Sequence, residues 1–346
     1  MMSTTSERVA DTSIEAVLAE LRAAEKLVVV AHENVDGDAL GSLIAMQELL
    51  TALGKDSVMF ISADEFPLPH EYRLLPLPGL VNEPPADLDE RTIVFLDCGN
   101  LERNPASALQ RSGARILNID HHHDNTRFGT ANYVDPHASC TAEMIWTMLH
   151  MLGLRLTTTI AQALYVGLIT DTGCFMYENT GVRAHEMAAE LIEAGVDVPA
   201  TYQRVYEDVP YGKLALLARG LAKVERYDEG RLTLASLSAE DFIEAGAEES
   251  YSEGVIDHLR AVRGTALAGL VRDRLSAPGE PASSDDGRRL RKVSLRAADR
   301  RLDVSAIARA QGGGGHKAAA GFTTDMPWEE LVAFLRAQVR AQLQGT

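Results

Sequence analysis

Short, unbroken apolar runs dominate the first half of the chain. Leu27-Val28-Val29-Val30-Ala31, Thr92-Ile93-Val94-Phe95-Leu96 and Ala114-Arg115-Ile116-Leu117-Asn118-Ile119 read as strands buried on both faces. A further strand is expected over 57–61. Between these runs the apolar spacing changes to a helical period. Ile14, Val17, Leu18 and Leu21 form one stripe, with Thr12 or Ser13 as cap. Helices are predicted over 38–53 (stopped by Gly54), near 105–111, over 140–152, over 159–170 (ending at Asp171) and over 182–194 (stopped by Gly195). The stretch 64–90, rich in proline and acid, reads as loop. Strands alternating with helices predict an α/β fold, a mainly parallel sheet with helices on both faces.

The pattern changes after residue 199. Pro199 and Pro210 punctuate a helical stretch to 222. Strands over 223–228 and 231–237 flank Asp228-Glu229-Gly230, a hairpin signal. Further strands are expected at 265–272 and 290–296, with helices at 302–310 and 327–343; 276–288 has the composition of a disordered loop. The expected organisation is one domain over 1–205, a helical connector over 206–222 and a smaller α+β domain over 223–346, with a cleft between the two.

Composition narrows this picture. The 346 residues are 46% apolar, enough for two cores. No apolar run approaches the ~18 residues a membrane helix needs, and Met1 to Ser13 lack a signal-peptide pattern, so a cytoplasmic location without membrane contact is the expectation. Three cysteines, Cys98, Cys140 and Cys174, are too few and wrongly spaced for a disulfide framework or a zinc C-x-x-C site. The net charge of −17 argues against binding long nucleic acid. Residues 260–317 depart from it, with 13 Lys and Arg against 6 Asp and Glu. An acidic domain joined to a basic one suits a small anionic substrate, although a solvated basic surface would look the same.

Chemistry concentrates just after the three strongest strands. His32, Asp36 and Asp38 follow the first, Asp97-Cys98-Gly99 the second, and Asp120-His121-His122-His123 the third. Strand ends of a parallel sheet converge on one crevice, so these oxygen and imidazole donors can meet. Carboxylates suit Mg²⁺ or Mn²⁺ and imidazole shifts the preference toward transition metals; the mixture favours Mn²⁺. Singly, each motif has an ordinary reading: Asp38 as a helix cap, Asp36-Gly37 as a turn with Gly37 relaxing the backbone, and Gly312 to Gly315 as a linker. As a glycine run beside a helix, Gly312 to Gly315 could instead offer four unobstructed backbone N–H groups to a phosphate or sugar.

Taken in order, the motifs resemble the DHH phosphoesterase family. Asp120-His121-His122 matches its namesake triplet, His32, Asp36 and Asp38 its H-x-x-x-D-x-D motif, Asp97 its second motif and Asp171 its fourth. Gly312-Gly313-Gly314-Gly315-His316 through Phe322 resembles the DHHA1 signature. The two-domain layout is similar to the nanoRNase/pAp phosphatase enzymes. The resemblance implies two Mn²⁺ ions, with Mg²⁺ or Co²⁺ as alternatives. His32, Asp36 and Asp97 would hold one; Asp38, Asp97, His121 and Asp171 would hold the other. It further implies that water shared by the ions attacks the phosphate, that Asp120 orients an imidazole, and that His122 faces the phosphate as general acid. His123 is either a substrate contact or solvated. Gly312, Gly313, Gly314, Gly315 and His316 would contact the nucleotide, with Arg263 and Arg296 as phosphate or base contacts. The implied activity converts short oligoribonucleotides or dinucleotides to mononucleotides and pAp to AMP plus phosphate. A cyclic dinucleotide phosphodiesterase is the enzymatic alternative, and a non-catalytic nucleotide sensor the alternative of another kind. A pyrophosphatase or a long-DNA exonuclease fits less well. A homodimer is compatible with the sequence.

Overall fold

In a computed structural model the chain forms two compact units, Met1–Asp208 and Val209–Thr346. The described residues are 11–344, apart from 74, 105, 111, 112, 275–288 and 316. His316 and the loop expected at 276–288 therefore lie outside them.

The first unit is built on a six-stranded parallel sheet, in the order β3-β2-β1-β4-β5-β6. The strands are β1 Lys26–Val30, β2 Asp56–Phe60, β3 Leu80–Val81, β4 Thr92–Leu96, β5 Ile116–Asp120 and β6 Ala131–Val134. The helices are α1 Ile14–Ala23, α2 Gly37–Ala52, α3 Thr141–Met151, α4 Thr158–Asp171, α5 Val182–Glu193 and the short α6 Val198–Tyr202. Alternate residues of each strand enter different cores. Leu27, Val29, Val94 and Leu96 pack with the long helices, whereas Val28, Val30, Ile93 and Phe95 face Leu88 and Leu109 from one-turn 3₁₀ segments. The strands read as continuous apolar runs because both faces are covered. The helix expected near 105–111 is such a segment, Ser107–Gln110. Strand β6 escapes a reading by sequence pattern because Asn132 sits in its middle; the buried amide satisfies Gly129 N–H and C=O instead of breaking the strand.

After β1 the chain moves outward to β2 and β3, then returns to place β4 on the other side of β1. This reversal opens a crevice at the carboxyl ends of β1 and β4, the usual ligand position in open α/β sheets. Above it α2 and α4 cross closely. A Cβ on Gly41 would lie 2.3 Å from the Ala163 carbonyl oxygen, and one on Gly37 2.3 Å from Thr170 Oγ1. Gly37 is the first residue of α2 and has ordinary helical backbone. Its lack of a side chain serves helix approach, not the backbone freedom expected of it.

The second unit contains α7 Tyr211–Ala222, β7 Glu225–Tyr227, β8 Leu232–Leu237, α8 Ala239–Ala245, α9 Val255–Arg260, β9 Leu267–Asp273, β10 Arg291–Ala297, α10 Val304–Arg309, β11 Gly314–Gly315, β12 Ala319–Thr324 and α11 Trp328–Gln344. Its sheet has the order β11-β12-β10-β9-β8-β7 and is antiparallel except where β8 runs parallel to β9. The parallel pair requires a crossover, which α8 and α9 supply; at seven and six residues they are too short to show a helical period. Among the described residues no helix is long and apolar enough to cross a membrane.

Candidate metal centre

The carboxyl ends of β1, β4 and β5, neighbours in the sheet, deliver His32, Asp97 and His121 to one place. His32 is buried just beyond β1. Its Nδ1 lies 2.6 Å from the Glu33 carbonyl oxygen, which can only accept, so the ring proton sits there. Nε2 is the nitrogen turned toward the carboxylates, 3.3 Å from Asp97 Oδ2 and 3.7 Å from Asp36 Oδ2. Asp36 is the N-cap of α2; its Oδ1 accepts from Ala39 N–H at 3.0 Å while Oδ2 remains turned toward His32.

Asp38, in the first turn of α2, is fully buried. Its Oδ2 accepts from Thr141 N–H at 2.7 Å and its Oδ1 from Ala142 N–H at 2.9 Å. Helix α3 has no side-chain cap of its own, so Asp38 satisfies its first amides from 103 residues away. The helix-cap role that Asp38 would have alone is thus real, but the helix is α3. Oδ1 also accepts from Ser42 Oγ at 3.4 Å, which leaves Oδ2 with a second lone pair for another partner.

Asp97 lies at the centre. Its backbone adopts the left-handed region, φ 54°, a strained conformation for an aspartate that recurs at functional sites. Oδ1 accepts from Thr141 Oγ1 at 3.1 Å and stands 3.6 Å from His121 Nε2; Oδ2 faces His32. His121 Nε2 is also 3.6 Å from Asp171 Oδ2, at the last residue of α4. Two donor groups result, each within 4.8 Å: His32, Asp36 and Asp97, and Asp38, His121 and Asp171. A third combines Asp97, His121 and His122.

His122 belongs to a different arrangement. Its Nδ1 lies 2.6 Å from Oδ1 of fully buried Asp120, so that nitrogen carries the proton. Burial works against charge on the ring, but the Asp120 bond prevails and raises its pKa to about 9. Asn125 holds Asp120 in turn, donating to Asp120 Oδ2 at 2.5 Å and to Asn118 Oδ1 at 2.7 Å. Sequence reasoning misses Asn125 and Thr141, since an isolated Asn or Thr carries no periodic or spacing signal.

Burial and the neighbouring Asp97 and Asp171 carboxylates push Asp38 well above the usual carboxylate range, and burial with Asp97 and Asp36 does the same to Asp171. Burial opposes a charged His32, yet Asp36 and Asp97 hold its pKa well above the ordinary imidazole value. A divalent cation among these carboxylates would offset their mutual repulsion. The His and Asp donors fit a divalent metal.

The glycine-rich segment differs from its expected form. Gly312 N–H donates to Arg309 C=O and Gly313 N–H to Ala308 C=O, closing the end of α10, so these two amides are not free for a ligand. Gly314 and Gly315 are exposed and pair with Gly321 and Ala320 of β12. A Cβ at Gly314 would meet nothing within 4 Å. Arg296 pairs with Ala319 on the other side of β12, near this segment, while Arg263 is exposed in the turn before β9.

The pattern of the DHH family, N-terminal domain, matches residues 26–168, and that of the DHHA1 domain matches residues 252–345. A bifunctional oligoribonuclease and PAP phosphatase NrnA of Thermus thermophilus is 32% identical over 328 residues, 92% of either chain. This chain belongs to the DHH/DHHA1 family. A Bacillus subtilis protein of the same description is 28% identical over 53% of this chain and 58% of its own. The crystal structure of an exopolyphosphatase-related protein from Bacteroides fragilis, 22% identical, aligns over 97% of this chain and 99% of its own with a TM-score of 0.82. DHH membership and the clustered His and Asp donors together make this a phosphoesterase-family protein with a divalent metal site.

Proposed function

We propose that this protein is a Mn²⁺-dependent hydrolase of short RNA and small nucleotides. It would cleave short oligoribonucleotides and linear dinucleotides to mononucleotides, and pAp to AMP and phosphate. The observation that carries the reading is the division of Asp97 between two donor groups, Oδ2 toward His32 and Oδ1 toward His121. The activity in the name of the Thermus relative supports the substrate class. His32, Asp36 and Asp97 would hold one ion; Asp38, Asp97, His121 and Asp171 the other. Bound there, two divalent ions supply Lewis acidity to the phosphoryl oxygens and activate water.

The chain's own groups do the rest. The Glu33 carbonyl holds the Nδ1 proton of His32, so Nε2 is the nitrogen that would give up its proton to take a metal. Thr141 ties two carboxylates to the start of α3, Asp38 through its N–H and Asp97 through its Oγ1, so the donors are held before substrate arrives. His122, kept protonated near neutral pH by Asp120, can give the Nε2 proton to the leaving oxygen. The test compares initial rates in Mn²⁺ on a linear diadenylate, pAp, cyclic di-AMP and pyrophosphate. Faster turnover of diadenylate and pAp is expected. A preference for cyclic di-AMP would reassign the protein to cyclic dinucleotides, and turnover of none, with binding intact, would make it a sensor.

A further inference from the structure

Asn179 is absent from both donor groups but holds one of their members. Its Nδ2 lies 3.1 Å from Asp171 Oδ2, 3.1 Å from the Asp171 carbonyl oxygen and 2.7 Å from the Ser139 carbonyl oxygen. An amide nitrogen has two hydrogens. One goes to Ser139, and the other is shared by the carboxylate and carbonyl of Asp171. All three partners are acceptors, so the flipped amide is excluded. Its Oδ1 is buried with no donor among the described residues, so the amide is placed by its nitrogen alone.

The partners give the contact its meaning. Asp171 ends α4 and the chain then turns through three consecutive left-handed residues, Gly173, Cys174 and Phe175. A carboxylate at a helix end followed by such a turn has little to fix its rotamer unless another segment reaches back. Ser139 precedes α3 by two residues, and the first amides of α3 fix Asp38. Asn179 therefore ties Asp171 to the segment that orients Asp38, and both face His121.

We infer that Asn179 is a positioning residue that sets metal affinity at the Asp38–His121–Asp171 group and leaves the His32–Asp36–Asp97 group untouched. The inference rests on the two-metal reading above. The probe is Mn²⁺ alone, titrated into the full-length, metal-free protein and followed by the electron paramagnetic resonance of free Mn²⁺. Asn179→Ala should weaken one binding step by about 10–100-fold, the range for outer partners of metal ligands, and leave the other within about twofold. Activity should return at high Mn²⁺ with KM for substrate unchanged. Asn179→Ser, which shortens the reach but keeps a polar side chain, should do the same if the Ala variant does not fold. A lower melting temperature of the metal-free variant with unchanged Mn²⁺ affinity at every step would make Asn179 only a loop anchor and overturn the proposal. Equal weakening of both steps would overturn its selectivity. Absence of Mn²⁺ binding by the wild type would remove the metal reading itself, and the inference with it.

Discussion

Asp97 and His122 are 3.5 Å apart, and the neighbours of each assign them different work. Asp97 has its oxygens split between two donor groups, so Asp97→Ala should abolish turnover and lower Mn²⁺ binding, as read by elemental analysis of the purified protein. Near-normal rates in saturating Mn²⁺ would rule out its bridging position. His122 spends Nδ1 on Asp120. His122→Ala should therefore keep the metal content of the wild type while kcat falls by roughly 10²–10⁴-fold, the usual range for a lost general acid. Loss of one metal equivalent would show it to be a ligand. The donors are legible in the sequence because most are charged or imidazole side chains right after an apolar run. Asn125, Thr141 and Asn179 are not, because their importance lies in what they touch across 5 to 44 residues of chain.

Helices α2 and α4 meet without side chains between them at Gly41, and the group that a methyl would strike is a backbone carbonyl. It cannot rotate away. Gly41→Ala should cost about 1–3 kcal/mol of stability, the range for overpacking, and should also weaken Mn²⁺ binding, because α4 carries Asp171 at its end. A variant with wild-type melting temperature and Mn²⁺ affinity would show that the crossing can relax. At this scale the long helices and central strands are readable from period and length. The short pieces are not. β12 is made of Ala319, Ala320, Gly321, Phe322, Thr323 and Thr324, mostly small residues, and its strand character comes from pairing with β10. The glycine run before it is legible as a motif, but its use in ending α10 and pairing with β12 depends on backbone partners that no motif specifies.

For the molecule as a whole, the acidic centre predicts how stability varies with pH when metal is removed. Asp38, Asp171, His32 and His122 all have raised pKa values in the fold, so the native state holds protons that the unfolded chain releases. Their contribution is full below the ordinary values of 3.8 for Asp and 6.5 for His and is lost as pH rises through the folded ones. Asp97, Asp87 and Asp299 are shifted the other way, and their contribution disappears only as pH falls below the ordinary carboxylate value. The metal-free protein should thus melt at progressively lower temperature from about pH 5 to about pH 8.5, and Mn²⁺ should remove most of that slope. A flat profile for the metal-free protein would contradict the crowding of charge described above. The net charge of −17, against a basic excess confined to residues 260–317, further predicts that kcat/KM is highest for substrates of roughly two to five nucleotides, since no long basic track offsets repulsion of a longer strand. Equal rates on an oligonucleotide of about 24 residues and on a dinucleotide, at the same salt, would refute it.

The donors come from residues 32 to 171, at the ends of three strands and two helices, and Asp38 is secured only when α3 docks on it. A partly folded chain has some of these groups but not their arrangement, and bringing His32 to Asp171 carries the entropy of closing a long loop. Capture of an ion at the Asp38–His121–Asp171 group should therefore come late in folding, a seal on a finished topology and not a nucleus for it. During synthesis that group cannot be complete until α4, which carries Asp171, has left the ribosome.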